Sequence, residues 1–171
     1  MKSGDLELET ANEWSPQISL GMPVMIPDNY VPDLQVRMQL YRRLGELSDT
    51  TEIDGFGAEL IDRFGPLPDE VEALLKIVLV KSLCRQANVE KVDAGPKGAV
   101  ISLRNNTFAN PAGLVQFVSD PTQRVNLRPD QKLVFSREWP KPDDRLKGTA
   151  ALLSRLVKLA STGETAVTEA G

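Results

Sequence analysis

The tightest constraint on this chain is the corner Gly65-Pro66-Leu67-Pro68. Prolines at 66 and 68 cannot continue a helix, and Gly65 is free to take the left-handed conformation that ends one. A helix running into the corner must stop near Phe64. Upstream, phasing at about 100° per residue puts Ile53, Phe56, Leu60 and Phe64 on one side, with Ile61 at its margin. Glu59 and Asp62, three residues apart, lie together on the opposite side, where they should face solvent. The corner is rigid, and the core does not need the acidic pair beside it. Asp49 with Glu52 forms a capping-box pattern for the start of this helix. Gly55 and Gly57 weaken it by roughly 1 kcal/mol each relative to alanine. Either something approaches them closely, or the helix tolerates them.

Beyond the corner, Asp69 and Glu72 repeat the capping pattern and open a long helix to about Ala87. Val71, Leu74, Leu75, Ile77, Val78, Leu79, Val80 and Leu83 make it apolar nearly all round, as a central buried helix should be. Before the corner, Asp33 is an N-cap for a helix over about 34–47. Leu34, Met38 and Tyr41 form one stripe there, with Leu40, Leu44 and Leu47 beside it, a wide core-facing surface. Arg37, Arg42 and Arg43 lie off the stripe, as a solvated face in preference to a phosphate-binding one. Pro16, Pro23, Pro27 and Pro32 rule out a helix over 5–32. That stretch reads as an extended arm with a short strand near Gln17–Leu20, partly packed through Met22, Val24, Met25 and Ile26.

The period then changes. Val89–Val92 and Ala99–Leu103 flank Gly95-Pro96-Lys97-Gly98 as two strands joined by a turn. Asn110-Pro111 starts a short helix to about Ser119. Arg124–Leu127 and Lys132–Ser136 form a second hairpin-like pair, and Asp143 or Asp144 caps a final helix to about Ala160. The expected class is α+β: a helical N-terminal half of three helices packed with a small, mainly antiparallel sheet, one inserted helix and a C-terminal helix. Residues 1–14 read as a flexible arm or a cloning boundary, 15–160 as a single domain, and 161–171 as a disordered tail.

Composition narrows the function. The chain of 171 residues carries a net charge of −4, against the basic excess that a dedicated nucleic-acid binder needs. It has no histidine and one cysteine, which removes His-dependent nucleophilic catalysis, an internal disulfide and any Cys-based metal framework. Cys84, among Val80, Leu83 and Ala87, reads as a buried structural thiol, not a nucleophile. No apolar run approaches a membrane span and no signal-peptide pattern opens the chain, so a cytoplasmic protein is expected. No glycine-rich phosphate loop follows a strand. Glu59 and Asp62 could hold a divalent cation, but two carboxylates on one exposed helix face are usually plain surface. The residues point to a non-catalytic interaction domain.

Several separate stretches resemble one family. Met25-Ile26-Pro27-Asp28-Asn29-Tyr30-Val31-Pro32-Asp33 looks like the segment entering the C-terminal module of bacterial transcription-repair coupling factors (Mfd). Arg37 through Leu44 continues the likeness. Glu59-Leu60-Ile61-Asp62-Arg63-Phe64-Gly65-Pro66-Leu67-Pro68 is its most specific part, and Asn110-Pro111 with Leu114 fits further on. The likeness covers roughly 15–160, in order.

The resemblance implies a piece of a multi-module, ATP-dependent DNA translocase that removes stalled RNA polymerase and recruits the repair protein UvrA. The motor motifs lie in modules this chain lacks, so no cofactor is expected here, and ATP and Mg only there. The family's terminal module is regulatory. It packs on the N-terminal UvrB-like module and masks the surface UvrA would bind. Its acidic motif positions pair with arginines of that module, which maps onto Glu59 and Asp62, with Arg63 of the same motif as a third partner-binding residue. RNA polymerase and DNA would be reached through the other modules, and no membrane is implied. Gly55 and Gly57 depart from a strong helix and leave its first turns open to irregularity. The alternative is an accessory nucleic-acid contact through Arg37, Arg42, Arg43, Arg145, Lys147, Arg155 and Lys158.

Overall fold

A computed structural model describes residues 14–21 and 24–170, with side chains as far as residue 162. The elements run β1 (Gln17–Ser19), α1 (Leu34–Glu46), α2 (Thr50–Phe64), α3 (Asp69–Ala87), β2 (Val89–Gly95), β3 (Gly98–Leu103), α4 (Pro111–Ser119), β4 (Val125–Leu127), β5 (Leu133–Ser136) and α5 (Pro142–Ala170). Short 3-10 turns occupy Arg104–Asn106 and Pro121–Gln123. The class is α+β, as the changes of period predict.

The sheet order is β1-β2-β3-β5-β4. All pairs are antiparallel except β1, which lies parallel to β2 with Ile18 opposite Val92. Gly98 pairs with Gly95 across the first turn and with Ser136 on β5. Its φ is +130°, and a Cβ there would strike the Phe135 carbonyl, so only glycine lets β5 close on β3.

The core has two parts that share α3. One, around Val80, Cys84, Val92, Ile101, Leu133, Phe135, Leu153 and Leu156, lies between the sheet, α3 and α5. The other joins Ile26, Val31, Leu40, Leu44, Phe56, Leu60 and Val71. A helix serving two cores has apolar residues on most of its circumference, which is why α3 shows no single stripe.

Local chemistry bears out several starts and corrects others. Asp33 accepts from the Gln35 and Val36 amides, and Asn110 from that of Gly113. Asp49 accepts from the Glu52 amide, but Glu52 reaches back to Ser48. Asp69 does not cap α3. Pro68 holds the cap position, and Asp69, Glu70 and Glu72 sit in the first turn, where they favour the positive end of the helix. Pro142 likewise opens α5, which places Asp143 and Asp144 inside it. That helix runs to Ala170, ten residues past the expected end, so 160 is not an element boundary. Little beyond Ala160 breaks a helix except Gly163.

The broad apolar face expected on α1 is narrower. Leu40 and Leu44 are buried, but Leu34 is 59% exposed and Met38 46%. Both lie more than about 100° round the helix from Leu40, beyond what one-sided packing covers. In the arm, Leu20 and Ile26 are buried while Met25 is exposed. Met22 falls outside the described residues.

Candidate protein-interaction surface

The motif helix α2 is regular from Thr50 to Phe64, its two glycines included. They differ in cause. A Cβ at Gly57 would come within 3.3 Å of Leu75 Cδ1, so Gly57 admits α3 closely, whereas nothing lies within 4 Å of one at Gly55. Gly65 ends the helix with φ +97° and donates its amide to the Ile61 carbonyl. Tyr30 clamps the corner. Its hydroxyl donates to the carbonyls of Gly65 at 2.8 Å and Leu60 at 3.1 Å, and its ring tilts against Phe64 with centroids 5.7 Å apart.

Glu59 and Asp62 occupy different settings. Arg43, from α1, donates from both terminal nitrogens to the Glu59 carboxylate at 2.6 Å each, and Arg63 donates to it at 3.0 Å from one turn on. Arg43 also stacks over Phe56 and Arg63 over Phe64, each 4.9 Å from the ring centroid. The Arg43 hydrogen bonds, with help from Arg63, hold the Glu59 pKa down at about 2. Glu59 is therefore partly covered and neutralised within the domain. Asp62 is exposed and has no ion pair or hydrogen-bond partner among the described residues. Asp62, with the Arg63 edge that Glu59 orients, is what this helix end presents outward.

Beside it, α2 and α3 leave an open apolar cleft of about 370 Å³, lined by Ile53, Gly57, Ile61, Leu67, Leu75 and Leu79 with Asp54, Glu72 and Lys76 among them. Ile61, at the margin of the core stripe, is 50% exposed.

Sequence reasoning missed Arg43 and Tyr30 as parts of this site. The Glu59–Arg63 spacing is readable as a helical i, i+4 pair. The Arg43 contact spans sixteen residues and two helices, and only the position of Arg43 within the family-like segment hinted at it.

Most arginines and lysines singled out for nucleic acid are otherwise engaged. Arg37 donates to the Val31 and Pro32 carbonyls, Arg43 to Glu59, and Arg145 to the carbonyls of Trp139, Leu20 and Pro140. Lys147 pairs with Asp143 at 3.0 Å. Arg42, Arg155 and Lys158 are exposed and make no ion pair among the described residues. Cys84 is fully buried, and burial pushes its pKa up to about 12. Among the described residues, no group of three or more Cys, Asp or Glu could hold a metal ion, and no helix is long and apolar enough to cross a membrane.

Fold and surface define an α+β domain that offers a charged helix end beside an apolar cleft. Residues 20–114 match the TRCF domain family. The chain belongs to that family, the C-terminal domain of transcription-repair coupling factors (Mfd). It is 46% identical over 123 residues to the transcription-repair-coupling factor of Rickettsia bellii, covering 72% of this chain and 11% of that protein. The Escherichia coli transcription-repair-coupling factor is 27% identical over 157 residues, covering 91% of this chain and 14% of that protein. A crystal structure of the C-terminal domain of a transcription-repair coupling factor superposes with a TM-score of 0.72 at 22% identity, covering 86% of this chain and 95% of that one. The chain thus spans only about an eighth of the length of these two full-length relatives.

Proposed function

We propose that this chain is the non-catalytic regulatory module of an ATP-dependent translocase in transcription-coupled repair. It packs on the UvrB-like module of its own protein and masks the surface that UvrA binds. The observation that carries this reading is Asp62. It is an exposed carboxylate with no ion-pair or hydrogen-bond partner among the described residues, one residue from the half-exposed Ile61 that lines an apolar cleft. A lone exposed charge beside apolar surface suits an interface, where a facing arginine complements it as water is excluded. Glu59 acts at one remove: bonded to Arg43 and Arg63, it fixes Arg63 for the same contact.

The reading is tested by titrating this chain against the separately produced UvrB-like module of the same protein. Saturable binding that Asp62→Arg weakens at least tenfold is expected, since truncating a buried charged pair costs roughly 2–5 kcal/mol. Failure of the wild-type chain to bind at any accessible concentration would overturn it.

A further inference from the structure

The turn after α4 gathers three arginines that sequence order does not bring together. Arg124 follows the 3-10 turn Pro121–Gln123, Arg137 follows β5, and Arg155 lies at the middle of α5. Arg155 Nη1 donates to Gln123 Oε1 at 3.0 Å, beside Arg124. Arg137 Nη1 donates to the Arg124 carbonyl at 3.2 Å and to the Ser136 carbonyl at 2.8 Å, with its guanidinium 5.7 Å from the Phe135 ring centroid. The Arg124 side chain is exposed and has no partner among the described residues.

Among the described residues, no carboxylate forms an ion pair with these three guanidinium groups. Asp120, four residues before Arg124, is engaged by the Thr122 amide and hydroxyl at 3.0 and 2.7 Å and by Gln123 Nε2 at 3.4 Å. Glu138 is exposed and forms no ion pair among the described residues. The pKa of Arg137 is depressed, first by its burial and then by the like charges of Arg124 and Arg155. Arg124 moreover holds φ 53° and ψ 50°, a left-handed conformation that arginine adopts at a cost and glycine or asparagine would not. A chain with net charge −4 keeps Arg137 beside two like charges here, one of them in a disfavoured backbone conformation.

We propose that Arg124, Arg137 and Arg155 form a phosphate-binding row for the backbone of duplex nucleic acid. The guanidinium fork suits phosphate oxygens; Arg124 and Arg155 are exposed on either side of the half-buried Arg137, and Lys158 extends the row along α5 one turn on. An edge of this kind tracks a polyanion better than it encloses a small anion. The row is separate from Asp62 and Arg63 and does not depend on the reading of that surface. It places the nucleic-acid contact on three arginines from different elements that form no ion pair among the described residues, whereas Arg43 and Lys147 are neutralised by Glu59 and Asp143.

The test is fluorescence anisotropy of this chain with a labelled duplex of ~20 base pairs, over a salt series. Three phosphate contacts give a log–log salt slope of about −2.7, a roughly 40-fold loss of affinity between about 50 and 200 mM salt. Arg124→Gln with Arg155→Gln should weaken binding at least tenfold at the lowest salt and flatten the slope to about −0.9. Arg155→Glu alone, on an exposed helix face, should weaken it in the same direction, and Arg42→Gln on α1 should change nothing. The proposal is overturned if the duplex does not bind at low salt, or if Arg42→Gln weakens binding as much as the double variant. It is also overturned if an oligo-glutamate peptide of equal charge binds as well as the duplex.

Discussion

Arg43 grips Glu59 through both terminal guanidinium nitrogens at 2.6 Å, joining α1 to the motif helix α2. A bidentate pair of this kind is geometrically specific, although solvent reaches both side chains. It makes Glu59 an internal strut as well as a motif residue. It also means that Glu59→Arg would set a cation against Arg43 and Arg63, disturbing the domain as well as any interface.

The strut has a pH signature. The Glu59 pKa is depressed to about 2 from an ordinary 4.5, so the folded state favours the carboxylate. Its stabilisation is present above the unfolded-state pKa and is lost as pH falls through the window from 4.5 toward 2. Glu59→Gln is expected to cost about 0.5–1 kcal/mol near pH 7, the scale of a good solvent-exposed pair. Urea melts of both proteins at a series of pH values check this: their difference should shrink as pH drops through that window. A difference that stays constant would show that the Arg43 and Arg63 contacts contribute nothing through charge.

Gly55→Ala should stabilise the domain by about 0.5–1 kcal/mol, because open space meets the new Cβ and alanine is the better helix former. Gly57→Ala should forfeit that gain, since its Cβ crowds Leu75 Cδ1 at 3.3 Å. Thermal melts of the two variants separate the cases, and equal gains in both would mean that α2 and α3 do not approach at Gly57.

Tyr30→Phe should cost about 1 kcal/mol, because it removes the hydroxyl bonded to the Leu60 and Gly65 carbonyls while keeping the ring against Phe64. Amide hydrogen exchange is expected to quicken at Gly65, whose N–H closes the last turn of α2. Unchanged exchange and stability would mean that Pro66 and Pro68 alone hold the corner.

Cys84 should resist thiol reagents at pH 8 in the native protein and react on unfolding, because burial holds its pKa near 12 and its side chain is fully covered. Native-state labelling on a timescale of seconds would contradict the packing of α3 against the sheet.

Much of the architecture is legible because it rests on local signals. Gly65 with Pro66 and Pro68 ends one helix and delays the next, Asp33 and Asn110 cap theirs, and Gly95-Pro96-Lys97-Gly98 turns the hairpin. Local signals fail where a partner distant in sequence decides. The exposure of Leu34 and Met38 follows from how little of α1 the second core covers. Asp69 has the right spacing for a cap, but Pro68 already occupies that position. The same holds for the surface. Helical phase places Asp62 outward correctly, but cannot show that Arg43 crosses from another helix to take Glu59, or that three arginines meet beside Gln123.

The most direct test of the regulatory reading is therefore Asp62→Arg alone, in the full-length protein, with UvrA affinity as the readout. Asp62 is exposed and has no ion-pair or hydrogen-bond partner among the described residues, so the melting curve of the isolated chain should stay within about 0.5 kcal/mol of wild type. In the closed full-length protein the substitution would oppose a facing arginine and shift the latch toward its open state. The account predicts a rise in UvrA affinity of at least tenfold. UvrA affinity equal to wild type, with the domain still folded, would contradict it and leave Asp62 as solvated surface.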